Sequence, residues 1–182
     1  MPSPLCWSQD AYTTAYRFAA HAHRGQTYPG TDLPYLMHLS FVTMEVMAAL
    51  TVEPQHDGKL AIQCALLHDT IEDADITYEQ VAQAFGTPVA QGVLALSKDP
   101  SGAKSAQMQD SLNRIRQQPP EVWMVKLADR ISNLSAPPAH WTEKKIVAYR
   151  IEAIKIHRAL HTASPYLDAR LLSRVETYRQ YE

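Results

Sequence analysis

The sequence predicts an all-α protein of about eight or nine helices around one core. Two observations carry this expectation. Apolar residues recur at helical spacing nearly throughout, and helix start and stop residues divide the chain at short intervals. No set of segments shows the alternating pattern of strands.

Taken in order, Ala11, Ala15, Phe18, Ala19 and Ala22 fall at the i, i+4, i+7, i+8 spacing of one buried stripe, which makes the first helix. Residues 25–35 read as a loop, and His38, in PYLMHLS, opens a second helix that runs to a loop at 51–57. Asp57 precedes KLAIQCALL as a cap. Thr77-Tyr78-Glu79-Gln80 forms a capping box whose helix ends at Gly86. Thr87 followed by Pro88 reads as a cap and first helical position. Beyond a loop at 98–104, Pro119-Pro120 opens EVWMVKLADRISNL; after a loop at 134–141, Thr142 and Ser164-Pro165 open the last two helices.

A chain of 182 residues suits one domain, spanning 1–182. With 46% apolar and 20% charged residues it has the composition of a soluble globular protein. No apolar run approaches the ~18 residues of a membrane span, and MPSPLCWSQD lacks the regions of a secretory signal, so the expectation is a cytoplasmic protein. Cys6 and Cys64 fit no metal or redox spacing and read as reduced bystanders. A net charge of −2 argues against a nucleic-acid surface. The charge is nevertheless split: residues 1–97 carry 3 basic against 10 acidic groups, and residues 98–182 carry 14 against 9. If the halves meet at one cleft, the first supplies carboxylates and the second supplies cations for an anionic substrate; uneven solvated charge explains the split equally well.

The segment CALLHDTIEDADI is an apolar helical run that ends in His68, Asp69, Glu72, Asp73 and Asp75. In a helix running through residue 68, His68 and Glu72 are one turn apart, as are Asp69 and Asp73, so two polar columns face one opening. Held together, such groups repel one another unless a cation compensates them. Asp75 reads as a solvated carboxylate or cap. With His38, and with Asp129 in KLADRISN, His68 and Asp69 make a set of two imidazoles and two carboxylates that suits manganese or iron better than magnesium or zinc. Lys126, Asp129, Arg130 and Asn133 lie on one side of their helix, opposite Leu127, Ile131 and Leu134.

The ordered blocks FAAHAHRGQTYPGTDLPYLMH, ALLHDTIEDADITYEQVAQAFG, VKLADRISNL and HWTEKKIVAY resemble the HD-superfamily hydrolase domain of RelA/SpoT alarmone enzymes, and especially the stand-alone small alarmone hydrolases. The resemblance covers about residues 8–180. It implies an all-α fold and a manganese-dependent hydrolase of the stringent response that removes the 3′-pyrophosphate from guanosine tetra- or pentaphosphate. On this resemblance the metal ligands fall on His38, His68, Asp69 and Asp129, and the pair handling the attacking water falls on Glu72 and Asp73. Nucleotide-pocket residues fall on Lys126, Asn133 and Tyr149. Arg24, Lys98, Lys104 and Arg130 are candidates for meeting phosphate charge, and Trp141 for walling the pocket. His21, His23, His56, His140, His157 and His161 match no ligand block.

Three positions depart from the family pattern. Tyr28-Pro29-Gly30 stands where relatives carry an Arg-Lys pair before the glycine, Ser135 where an Arg is common, and Leu39 where a proline is common. Tyr28 can stack on a purine but cannot supply the guanidinium's hydrogen bonds. A pocket accepting adenosine as well as guanosine alarmones is therefore expected. Two other readings stay open: hydrolysis of another nucleotide, such as the 2′-phosphate of NADPH, and a catalytically silent nucleotide-binding module. Glu72 and Asp73 beside a full ligand set favour catalysis, and a synthetase role is not expected because the chain lacks room for a second domain.

Overall fold

The computed structural model describes residues 7–99, 101 and 103–182. Cys6 and the side chain of Lys104 lie outside what is described. Among the described residues the helices are α1 (Gln9–Ala22), α2 (Leu36–Val52), α3 (Gly58–Leu67), the single turn α4 (Thr70–Asp73), α5 (Tyr78–Phe85), α6 (Thr87–Leu96), α7 (Lys104–Ile115), α8 (Pro120–Asn133), α9 (Glu143–Leu160) and α10 (Pro165–Tyr178). The fold is all-α. The extra element relative to expectation is α4, split from α3 at the residues of greatest chemical interest.

Local capping explains most boundaries. The Asp57 carboxylate accepts the Leu60 N–H, Thr77 and Gln80 bond each other reciprocally, and Thr142 and Ser164 cap α9 and α10. One boundary moves by a residue: Gly86 is the cap and Thr87 the first helical residue. Gly86 has φ of 90°, a conformation that a side chain strains and glycine takes freely.

The centre of the molecule is the mutual packing of α2, α3 and α8, with α1 against α3 and α10 across α8 and α2. Leu39, Leu66, Leu127 and Ile131 are fully buried between them. α6 approaches α3 and α8 closely through Gly92, where a Cβ would lie 2.8 Å from Cys64 Sγ and 2.9 Å from a Val122 methyl. Burial pushes the free Cys64 thiol up to about 12, which keeps it protonated and unreactive. α2 and α10 are also joined through buried Glu45, whose two oxygens accept from Nε and Nη2 of Arg170. No helix of the described residues is long and apolar enough to cross a membrane.

Candidate active site

α3 stops at Leu67, and His68 and Asp69 form a two-residue joint before α4. At this joint side chains fill carbonyls of the last turn: His68 Nδ1–H donates to the Ala65 carbonyl at 2.8 Å and the Thr70 hydroxyl to the Leu67 carbonyl at 2.7 Å. This corrects the expectation of one helix running through residue 68. His68 is buried and turned inward, whereas Glu72 reaches outward to Lys98, so the two do not form one column. The turn is preserved downstream, where the Asp73 N–H donates to the Asp69 carbonyl at 2.8 Å.

α2 brings His38 to this joint and α8 brings Asp129. His68 Nε2 lies 2.9 Å from Asp69 Oδ2, and His38 Nε2 lies 3.6 Å from the same oxygen and 3.5 Å from Asp129 Oδ1. His38, His68 and Asp69 each offer an atom within 4.8 Å of the others. Because His68 spends Nδ1–H on a carbonyl, Nε2 is the nitrogen left to carry either a proton or a metal ion. That nitrogen is buried and makes no hydrogen bond, despite the nearby Asp69 oxygen. Atoms that crowd one point without bonding one another fit a divalent ion between them, and the nitrogen and oxygen donor set agrees.

The electrostatics agree as well. Burial disfavours a charged His68, yet Asp69 and Asp129 outweigh it and raise the imidazole to about 9. Burial likewise opposes ionisation of Asp69, but the adjacent His68 draws its carboxyl down to about 2. Asp129, buried beside Lys126 and the two histidines, is held well below the usual carboxylate range. The centre keeps its carboxylates ionised and attracts positive charge.

Residues around the centre orient it. The Tyr35 hydroxyl donates to Asp69 Oδ2 at 2.6 Å, Lys126 Nζ to Asp129 Oδ2 at 3.0 Å, and Asn133 Nδ2 to Asp129 Oδ1 at 2.5 Å. Ser132 Oγ lies 3.2 Å from His38 Nδ1. Sequence reasoning missed Tyr35 and Ser132. Tyr35 stands three residues before His38, a helical interval that marks it in retrospect. The polar stripe of α8 is largely buried and forms a wall of the cleft.

A cavity of about 180 Å³ faces the centre. Tyr35, His38, Asp69, Glu72 and Asp73 line it from the acidic half of the chain, and Lys98, Lys126, Asp129, Arg130, Asn133, Tyr149 and Glu152 from the basic half. Asp69, Glu72 and Asp73 of the first half thus meet Lys98, Lys126 and Arg130 of the second at one cleft, to which the second half also contributes Asp129 and Glu152. Both Glu72 oxygens are engaged by Lys98, through its N–H at 2.7 Å and its Nζ at 2.9 Å. Partial burial and the charges of Asp69 and Glu72 raise the proton affinity of Asp73. Arg130 is buried, bonds Glu152 at 2.5 Å and lies 4.2 Å over the Tyr149 ring, while its Nε and Nη1 have no hydrogen-bond partner among the described residues.

Asn133 and Tyr149 also line a neighbouring cavity of about 580 Å³ with Tyr28, Ser135, His140 and Trp141. The Tyr28 N–H donates to the Leu33 carbonyl at 2.8 Å, which pins the first loop so that the ring stacks 5.8 Å from His38. Trp141 meets Tyr149 edge-on at 5.1 Å. Of the expected substrate residues, Tyr28, Lys98, Lys126, Arg130, Asn133 and Tyr149 are brought together. Arg24 is not: it is exposed and lines a separate depression with His23 and Asp32, beside the left-handed turn at Gly25. His140, which matched no ligand block, does line the larger cavity.

An all-α frame closed around a His-His-Asp cluster defines the class. The chain belongs to the HD domain family, whose description matches residues 15–164. It is 28% identical over 171 residues to guanosine-3′,5′-bis(diphosphate) 3′-pyrophosphohydrolase MESH1 of Danio rerio, covering 91% of this chain and 93% of that one. The Mus musculus protein of the same name is 30% identical over 159 residues, covering 85% and 87%. Among solved structures, a metazoan ortholog of SpoT, described as hydrolysing ppGpp and acting in starvation responses, superposes with a TM-score of 0.81 at 25% identity, over 97% of this chain and 99% of that one.

Proposed function

We propose that this protein is a cytoplasmic, manganese-dependent hydrolase that removes the 3′-pyrophosphate from guanosine tetra- and pentaphosphate and accepts their adenosine counterparts. The observation that carries the reading is the convergence of His38, His68 and Asp69, with Asp129 Oδ1 3.5 Å from His38 and 4.0 Å from His68, in a cleft that also holds Glu72, Asp73 and Arg130. The names of the relatives point to the same reaction.

In this reading His38, His68, Asp69 and Asp129 hold the ion, with Tyr35, Asn133 and Lys126 fixing the carboxylates. A divalent ion held by these residues would supply Lewis-acid chemistry, polarising a phosphoryl oxygen and lowering the pKa of water. Asp73, whose proton affinity is raised, accepts the proton of the attacking water. Glu72, held by Lys98, orients that water. Water oxygen bonds to the phosphorus attached to the ribose 3′ oxygen, the bond to that oxygen breaks, and the leaving oxygen takes up the proton that Asp73 accepted, giving the nucleotide alcohol and pyrophosphate. Lys98, Lys126 and the unpartnered nitrogens of Arg130 compensate charge on the non-bridging oxygens. Tyr28, Asn133, Trp141 and Tyr149 hold the nucleoside, and Tyr28 stacks on either purine because stacking tolerates base identity.

The test is to strip the purified protein of metal and to assay guanosine tetraphosphate, its adenosine counterpart and NADPH with manganese, magnesium or zinc. Pyrophosphate release from the guanosine substrate, strongest with manganese and abolished in Asp69→Ala, is expected. Phosphate release from NADPH alone would overturn the reading. Turnover of the guanosine substrate without the adenosine one would remove the proposed base tolerance.

A further inference from the structure

Beyond Tyr28 and Ser135, which also wall the larger cavity, lies another cavity of about 290 Å³. Met37, Phe41 and Met44 of α2 line one part of it, and Ser132, Arg170 and Arg174 line another. Its two arginines are not equivalent. Arg170 is committed to buried Glu45, which cancels its charge. Arg174 has no hydrogen bond or ion pair among the described residues, and its Nε is buried without a partner. The lining therefore carries one positive charge that no carboxylate among the described residues pairs with, on a half-buried side chain whose Nε has lost water and gained no acceptor there. Tyr28, Ser132 and Ser135, residues of a type that can donate to an anion, line the same space.

We propose that this cavity is a phosphate subsite that takes the 5′-phosphates of a nucleotide whose base occupies the adjoining cavity and whose 3′ group reaches the metal centre. The proposal rests on the nucleotide reading above and names where the second charged arm goes. A nucleoside held between Tyr28 and Tyr149 must send that arm past the walls of its own pocket, and Tyr28 and Ser135 are the walls shared with an unpaired cation. The other basic cavity, beside Lys98, suits the role less well. It shares no residue with the base cavity, and its Arg114 is already committed to the carbonyls of Leu94, Ala95 and Ser97 and to Asp110.

The experiment compares equilibrium binding to manganese-loaded wild type, Arg174→Met and Arg174→Lys, each checked for an unchanged melting transition. The ligands are the 5′-diphosphates GDP and ADP, and the 3′-monophosphates of guanosine and adenosine. Loss of one charge-assisted hydrogen-bonding partner predicts that Arg174→Met weakens 5′-diphosphate binding about tenfold, with 3′-monophosphates unchanged and partial recovery in Arg174→Lys. An equal loss for both ligand classes, no loss for the 5′-diphosphates, or no binding of them by wild type would overturn the subsite. Turnover of guanosine tetraphosphate by wild type is scored separately: its absence defeats the hydrolase reading, while the contrast between ligand classes still decides the subsite.

Discussion

The hydroxyl of Tyr35 donates to Oδ2 of Asp69 at 2.6 Å, tying the residue that opens α2 to the joint between α3 and α4. Burial and the neighbouring Asp69 charge raise the proton affinity of the phenol, so it stays a donor at any working pH. Groups that orient a metal ligand in this way typically contribute ten- to a hundredfold in affinity. Tyr35→Phe keeps the ring and removes the donor. Manganese affinity is expected to fall by about that factor with little change in melting temperature, as read by metal titration; unchanged affinity would remove Tyr35 from the site.

In the proposed mechanism Glu72 orients water, and both its oxygens are held by Lys98. Glu72→Gln is expected to leave manganese binding intact and to lower turnover about a hundredfold, the low end for loss of a group that handles a proton or water in the transition state. Metal titration and steady-state rates on one preparation separate the two effects. A variant with normal turnover would show that Asp73 suffices.

His23 predicts a pH dependence of stability. Its ring is buried against Tyr35 at 4.9 Å, Nδ1 lies 2.7 Å from the Gln26 amide oxygen, and Nε2 has no partner. Burial lowers its pKa below 6.5, against the opposing pull of Gln26. The unfolded chain therefore binds the proton more readily than the fold does. This contribution to stability is complete above pH about 6.5 and is lost as pH falls through the lower folded-state value. His23→Phe should lose less stability between pH 7 and 5 than wild type, measured by urea denaturation; parallel profiles would contradict it.

Gly92 tests the packing behind the site. A Cβ would meet Cys64 Sγ and Val122 at under 3 Å, so Gly92→Ala must push α6 away from α3 and α8. Overpacking of this kind costs about 1–3 kcal/mol. The denaturation midpoint should fall accordingly, while turnover per folded molecule stays near wild type.

Much of the fold was legible because its signals are local. Asp57, Thr77, Thr142 and Ser164 cap helices through bonds to residues three positions away, and such spacing is visible in a linear chain. The candidate centre was legible in part for the same reason: His68 and Asp69 are adjacent, and Lys126, Asp129, Arg130 and Asn133 share one helix face. The break after Leu67 was not legible, since it depends on side chains taking carbonyls in competition with the continuing helix.

The order of the helices, the acidic and basic halves and the residue types able to bind a metal and handle water were determined by the sequence alone, because periodicity, capping and donor chemistry are properties of near neighbours. Tertiary structure decided which of them meet. Packing of α2, α3 and α8 brings His38 and Asp129 to the His68-Asp69 joint, seats Tyr35 on Asp69, and leaves Arg24 outside the cleft. It also commits Arg170 to Glu45 and leaves Nε of Arg174 without a partner among the described residues. Those outcomes depend on distances across the core, where two residues far apart in sequence become neighbours only when the helices between them have packed.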